Sequence, residues 1–206
     1  MRIITISREF GSGGRELGKR LADELGFDYY DREIISSIAA KQGLDENYVE
    51  NMLENSAWQT VPLTFRHSFA GPVMLQAPQT NLLIEQKQVL EGIAKLGKDC
   101  IIVGRNADVL LRKYKPFNLF VCASMDAKVT RCMERAEKGE NLTEKDMIQN
   151  IKRIDKNRAR TREIISDSKW GDRASYNLIV NTTGWSIKEL TPVVADFAKR
   201  WFEKEE

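Results

Sequence analysis

Five short apolar runs punctuate the chain, at residues 2–7, 27–30, 100–103, 117–123 and 177–180. The runs at 100–103 and 117–123 are nearly continuous rather than alternating, which is the pattern of strands buried on both faces. The segments between them follow helical spacing. Leu17, Leu21 and Leu25 recur every four residues and predict a helix over 14–25 that stops at Gly26. Asp31 is placed to cap a second helix ending near Gly43, and a short third is expected over 45–54. Further helices are predicted over 82–96, ended by Gly97, and over 127–138, ended by Gly139. Thr143 followed by Asp146 has the form of a capping box and opens a long basic helix to about residue 168. A last helix is expected over 186–202. Strands alternating with helices predict an α/β fold: a five-stranded, mostly parallel sheet with helices on both faces.

Chemistry enters first at the loop after the first strand, Ser7-Arg8-Glu9-Phe10-Gly11-Ser12-Gly13-Gly14-Arg15-Glu16. Glycines between a strand and a helix let the backbone bend closely around an anion, and the helix start presents N–H groups and a positive dipole end to phosphate. The standard phosphate-loop pattern G-x-x-x-x-G-K-[ST] is not met. With Gly13 as its second glycine, Arg8 stands at the first, Gly14 at the lysine and Arg15 at the serine or threonine. Arg15, or Lys19 one turn on, is the expected substitute cation. A tight turn without a ligand is the alternative.

Two other stretches stand out. Between residues 55 and 84 the only charged residue is Arg66, among scattered aromatics and Pro62, Pro72 and Pro78. Such a stretch reads as an irregular insertion over a site or as an association surface. In contrast, residues 151–162 carry Lys152, Arg153, Lys156, Arg158, Arg160 and Arg162 against one acid, Asp155. That helix reads as a solvated basic face, as a phosphate clamp, since phosphoryl transfer needs cations brought to one point, or as an RNA-binding surface, which no basic stretch elsewhere in the chain supports. Asp31 follows the second strand and Arg105 ends the third, the edge at which open α/β sheets bind ligands. Asp155 is placed to hold an arginine, to meet a ribose or to make a simple ion pair on the helix surface. Trp170, Trp185 and Trp201 read as packing residues.

Composition narrows the partners. Over 206 residues, 32 Lys+Arg against 30 Asp+Glu leave a net charge of +2, which excludes a general nucleic-acid coat. A hydrophobic share of 42% with 30% charged residues fits a folded globular chain. No apolar run reaches membrane-spanning length, and the first run is too short for a signal peptide. Cys100, Cys122 and Cys132 form no paired motif and predict reduced thiols in a cytoplasmic protein. A lone histidine, His67, excludes a Ser-His-Asp triad and a histidine metal site.

The residues also carry a resemblance. The string from Ile4 to Glu16 resembles the opening of the cytidylate-kinase-like proteins, a divergent branch of the P-loop nucleoside monophosphate kinases. Tyr29-Tyr30-Asp31-Arg32-Glu33, Ile101-Ile102-Val103-Gly104-Arg105, the basic run from Ile151 to Arg158 and Tyr176-Asn177-Leu178-Ile179-Val180-Asn181-Thr182 resemble its later motifs, in order over nearly the whole chain. The resemblance implies a three-layer α/β/α P-loop domain spanning 1–206, with a monophosphate-binding insertion within 45–97 and a helical lid within 138–170. It implies ATP and a nucleoside monophosphate, CMP or dCMP first, as substrates, with Mg²⁺ as cofactor. Gly11, Ser12, Gly13, Gly14, Arg15 and Glu16 would hold the ATP phosphates. Arg105, Asp31 and Asp155 would bind the acceptor. The lid arginines fall on Arg131, Arg135, Arg153 and Arg158, and with Arg15 the catalytic set becomes Arg15, Arg131, Arg153 and Arg158. Glu16 stands where the family's magnesium-binding threonine sits and is the candidate metal ligand. Asn106 replaces the acid of the Gly-Arg-Asp segment. The missing lysine keeps a non-catalytic nucleotide-binding regulator as the alternative, and the uncharged stretch keeps a kinase of a non-nucleotide small molecule. That stretch serves a homodimer surface as readily as a lid over substrate. No membrane and no extended nucleic acid are expected as partners.

Overall fold

The computed structural model describes residues 1–31, 79–136 and 143–205. Within them the strands are β1 (Ile3–Arg8), β2 (Asp28–Tyr30), β3 (Cys100–Val103), β4 (Phe117–Cys122) and β5 (Leu178–Asn181). The helices are α1 (Gly14–Leu25), α2 (Gln79–Lys95), α3 (Ala107–Leu110), α4 (Met125–Glu134), α5 (Glu144–Ile165) and α6 (Ile187–Glu205). The five strands form one sheet in the order β2-β3-β1-β4-β5, and every pairing is parallel.

The period-2 geometry of β1 divides its side chains between two cores. Ile4 and Ile6 join Ile101, Val103, Leu119 and Val121 under Leu17 and Leu21 of α1 and Val194, Ala195 and Ala198 of α6. Ile3 on the other face joins Cys100 and Ile102 under Val89, Leu90 and Ile93 of α2. The sheet is thus covered on both sides. A smaller cluster, Val129 and Cys132 with Met147 and Ile151, packs α4 against α5.

Several expected boundaries are met closely. α1 spans the expected residues and ends on Gly26 at φ 68°, with the Gly26 N–H donating to the Ala22 carbonyl. The capping box at Thr143 and Asp146 forms in both directions. α4 ends at Glu134, short of the expected stop, and α3 together with single turns at Arg112–Tyr114 and Arg173–Ser175 had no sequence signal. The helices expected after Asp31 and over 45–54, and the uncharged stretch at 55–78, lie outside the described residues. Trp170 and Trp201 pack against Phe120 and Phe117, with ring centroids 5.3 Å apart in each case. Trp185 does not pack: it stands 57% exposed in the turn before α6. Burial pushes the Cys100 thiol up to about 12 and the Cys132 thiol up to about 11, so both stay protonated and inert near neutral pH. Among the described residues no helix is long and apolar enough to cross a membrane.

Candidate functional site

β1 sits in the middle of the sheet, so the chain leaves toward β2 and β3 on one side and β4 and β5 on the other. The edge where such a sheet reverses direction is its natural crevice. Loop 9–13 opens there, flanked by the segment after β3 and the turns after β4 and β5. Gly11 and Gly13 take φ of 76° and 82°, which only glycine adopts without strain. A methyl group at Gly13 would lie 2.5 Å from Ile187 Cδ1, and one at Gly11 would lie 2.8 Å from Cys132 Sγ. The loop is therefore pressed onto α4 and the start of α6.

Its carbonyls point to that packed side. Arg131 Nη1 donates to the Gly11 carbonyl at 2.8 Å, Thr182 Oγ1 to the Ser12 carbonyl at 2.8 Å, and Arg158 Nη1 to the Arg8 carbonyl at 2.9 Å. Because a trans peptide sets its N–H opposite its C=O, the Ser12 carbonyl held from behind turns the Gly13 N–H to the front. A helix that starts at Gly14 leaves its first N–H groups without intrahelical acceptors, next in the chain to that Gly13 N–H. The result is an amide cradle with a positive end.

An ion network braces the rear. Lys128, buried on α4, reaches Glu9 Oε2 at 3.0 Å and Asp155 Oδ2 at 3.4 Å. Asp155 Oδ1 accepts the Phe10 N–H at 2.7 Å and pairs with Arg158 at 3.2 Å. Glu9 Oε2 also accepts the Ala123 N–H at 3.2 Å. Burial pushes the Asp155 carboxyl above its ordinary range, against the pull of Arg158, the Phe10 N–H and Lys128. Burial likewise pushes Arg158 and Arg131 down, in the first case against the attraction of Asp155.

The turn after β3 lies across the sheet edge from the loop and carries Arg105. Gly104, Arg105 and Asn106 take φ of 84°, 59° and 50° in succession, so two non-glycine residues hold left-handed backbone. α3 follows at once and is anchored by the buried ion pair of Asp108 with Arg162 from the end of α5. Tyr176, packed on Phe120, lies 5.9 Å from the Arg162 guanidinium. The turn that presents Arg105 is thereby tied to the basic helix.

Each expected site residue has a definite place. Gly11 to Glu16 form the cradle and the first turn of α1. Arg15 folds to Asp31, with Nη2 at 2.7 Å and Nε at 3.0 Å, and Tyr29 OH lies 3.5 Å from the same carboxylate. Arg15 thus comes together with Asp31 at the end of β2. Glu16 is ion-paired with Arg20 at 2.9 Å and with Arg135. Burial raises its pKa, but the two guanidiniums outweigh that and hold it below the usual carboxylate range. Both oxygens are committed to cations, so Glu16 as placed does not fit a metal. Among the described residues no three carboxylate, thiol or imidazole groups gather for one either. Arg131 and Arg158 reach the loop, whereas Arg153 donates to Asn150 Oδ1 at 2.7 Å, one turn back on its own helix. Asp155 holds the loop through the Phe10 N–H and pairs with Arg158 and Lys128.

Glu9, Lys128 and Thr182 were missed as a bracing set. A signal existed for one of them: Lys128, Arg131 and Arg135 recur at i, i+3 and i+7, which places three cations on one face of α4.

A model of the cytidylate kinase-like family matches residues 3–184. The chain belongs to that family. No curated protein matches this cytidylate kinase-like chain. Among solved structures it is similar to an uncharacterized protein from Eubacterium ventriosum, at 23% identity and a TM-score of 0.71, with 97% of this chain and 99% of that one covered. It is also similar to shikimate kinase from Bacteroides thetaiotaomicron, at 12% identity and a TM-score of 0.56, covering 96% and 98%. A gluconokinase from Sinorhizobium meliloti aligns at 14% identity with a TM-score of 0.50, covering 98% and 94%. The all-parallel sheet and its helices are those of the P-loop kinases.

Proposed function

We propose that this cytidylate kinase-like chain transfers the γ-phosphoryl group of ATP to a nucleoside monophosphate, with CMP or dCMP as the first acceptor. The observation that carries the reading is the glycine loop of residues 11–16, held from behind by Arg131 and Arg158 and set at the same sheet edge as the turn that bears Arg105. Phosphoryl transfer asks a protein mainly for positioning and charge neutralisation, and this edge supplies both. An acceptor phosphate oxygen would attack the γ-phosphorus in line, the bond to the β–γ bridging oxygen would break, and ADP would leave. The attacking oxygen is already an anion near neutral pH, so no side-chain base is needed. Arg105 would hold the acceptor phosphate, and residues 138–170 would act as the lid. Magnesium would enter with ATP as the substrate complex, its ligands supplied by phosphates and water.

The decisive assay couples ADP release to Mg-ATP turnover across CMP, dCMP, UMP, AMP and GMP. Shikimate and gluconate belong in the same panel, because kinases named for them share the fold. The expected result is one preferred pyrimidine monophosphate. Tight nucleotide binding in calorimetry with no transfer to any acceptor would replace the kinase by a nucleotide-binding regulator.

A further inference from the structure

Arg8 is the last residue of β1 and stands where the standard phosphate loop has its first glycine. Its stem runs across Gly14, the position at which that loop has its lysine. A methyl group built on Gly14 would fall 2.6 Å from Arg8 Cβ, 3.1 Å from Arg8 Cγ and 3.3 Å from Val121 Cβ. Gly14 is in the first turn of α1 and its φ is not positive, so its backbone does not demand glycine. What demands it is the arginine stem. At the far end, a methyl group on Gly104 would lie 1.8 Å from Arg8 Nη1 and 2.9 Å from Cζ. Two glycines therefore make a channel, and the channel carries a guanidinium from β1 to the left-handed turn before Arg105.

The guanidinium arrives near other guanidiniums, of which Arg15 holds Asp31 and Arg158 holds Asp155. The groups that act on it electrostatically are Arg158, Arg105, Arg15 and the Tyr29 phenol. Among the described residues no carboxylate lies within ion-pair distance of it and no acceptor takes its N–H groups. Burial, followed by Arg158, pushes it down to about 9, which still leaves a cation at neutral pH. A packed arginine without a counter-charge is costly, and its surroundings become favourable once an anion sits among them.

We propose that the Arg8 guanidinium is the phosphate-facing cation of this loop, that it replaces the missing lysine by exchange of positions 8 and 14, and that the anion it takes is a phosphoryl group. For the identity of the anion this rests on the phosphotransferase reading, and for nothing else. A planar fork in place of an ammonium also changes what is recognised, since a guanidinium binds two oxygens of one phosphate at once.

Inorganic phosphate is the first probe, because it needs no turnover. Calorimetry and thermal unfolding should show phosphate binding and stabilising the wild-type chain, and Arg8→Met should weaken that binding at least tenfold. Equal phosphate affinity in wild type and Arg8→Met would overturn the proposal, as would no phosphate binding by the wild type. Should Arg8→Met fail to fold, the exchange itself is the test. Arg8→Gly should lose phosphate affinity, and Arg8→Gly combined with Gly14→Lys should regain most of it. Failure of the pair to regain any affinity while folded would overturn the exchange. ATP alone and CMP alone distinguish the two sources of the phosphoryl group. A loss with ATP assigns Arg8 to the donor, as the exchange with the lysine requires; a loss confined to CMP overturns the exchange, and no loss with either overturns the site. If no acceptor is phosphorylated but phosphate binding still depends on Arg8, the kinase reading falls and this one stands.

Discussion

The two sides of the glycine loop are built on opposite principles. Behind it, cations and anions alternate: Lys128 lies between Glu9 and Asp155, and Asp155 between Lys128 and Arg158, while carboxylate oxygens also take the Phe10 and Ala123 N–H groups. In front of it, the Arg8 side chain passes Gly14 and its guanidinium reaches the turn at Gly104. The rear is electrically complete and holds the loop in shape. In front, Arg8 has no carboxylate within ion-pair distance among the described residues, and a phosphoryl group has the charge that would complete it. One loop thus shows how structural and functional charge differ: structural charge brings its partner, whereas functional charge leaves a place for one.

The comparison breaks hardest at Asp155. Asp155→Ala strands Arg158 and the Phe10 N–H and leaves Lys128 to Glu9, and losing one member of such an ion-paired set costs about 3–5 kcal/mol. Urea unfolding should show that loss, together with loss of phosphate binding as the loop relaxes. An effect under about 1 kcal/mol would mean that the rear network is not what fixes the loop.

Gly14→Ala comes next. Its methyl group meets the Arg8 stem at 2.6 Å, and overpacking of that kind costs about 1–3 kcal/mol. The same substitution in an Arg8→Gly background should cost much less, because the 2.6 Å obstacle is gone, only Val121 Cβ at 3.3 Å remains close, and alanine is the better helix former. This non-additivity, read from paired unfolding curves, is the direct signature of the channel. Equal costs in both backgrounds would assign Gly14 to some other constraint.

Arg8→Met should then move stability the other way. With no counter-charge to strand, exchanging the guanidinium for an apolar chain of similar length should raise the stability of the ligand-free protein by up to about 1 kcal/mol. Any clear loss of stability would place Arg8 with the structural charges and end the contrast between front and rear.

The sequence showed the architecture more readily than the site. Buried parallel strands are nearly continuous apolar runs, and the stop at Gly26 and the box at Thr143–Asp146 are local signals, so those elements were legible. α3 was not, because four residues carry no periodicity and its buried Asp108 is explained only by Arg162, 54 residues away. The same distance problem governed the cations. Arg15 looked like the substitute for lysine since it is adjacent in sequence, but Asp31 draws it to the end of β2. Arg8 lies six positions before the lysine site along the chain and beside it in space, a relation visible only once β1 and α1 are packed. Glu16 was read as a metal ligand from its position in the motif, and the pairing with Arg20 and Arg135 depends on a turn of α1 and on the end of α4.

The smallest effect, and the one that tests the charge accounting at the cradle's edge, is at Glu16. Its folded-state pKa is lowered, since Arg20 and Arg135 outweigh the burial that raises it. A carboxylate with a lowered folded pKa adds stability that is fully present above its unfolded value, near 4.3, and is lost as pH falls through the folded value. Wild type should therefore exceed Glu16→Gln by a constant few tenths of a kcal/mol at pH 6–8, the scale of partly exposed ion pairs. The gap should close below about pH 4. Raising salt should narrow it as well, because the pairs are open to solvent. A gap independent of both pH and salt would mean that Glu16 acts through packing, and its carboxylate would then be available to a metal after all.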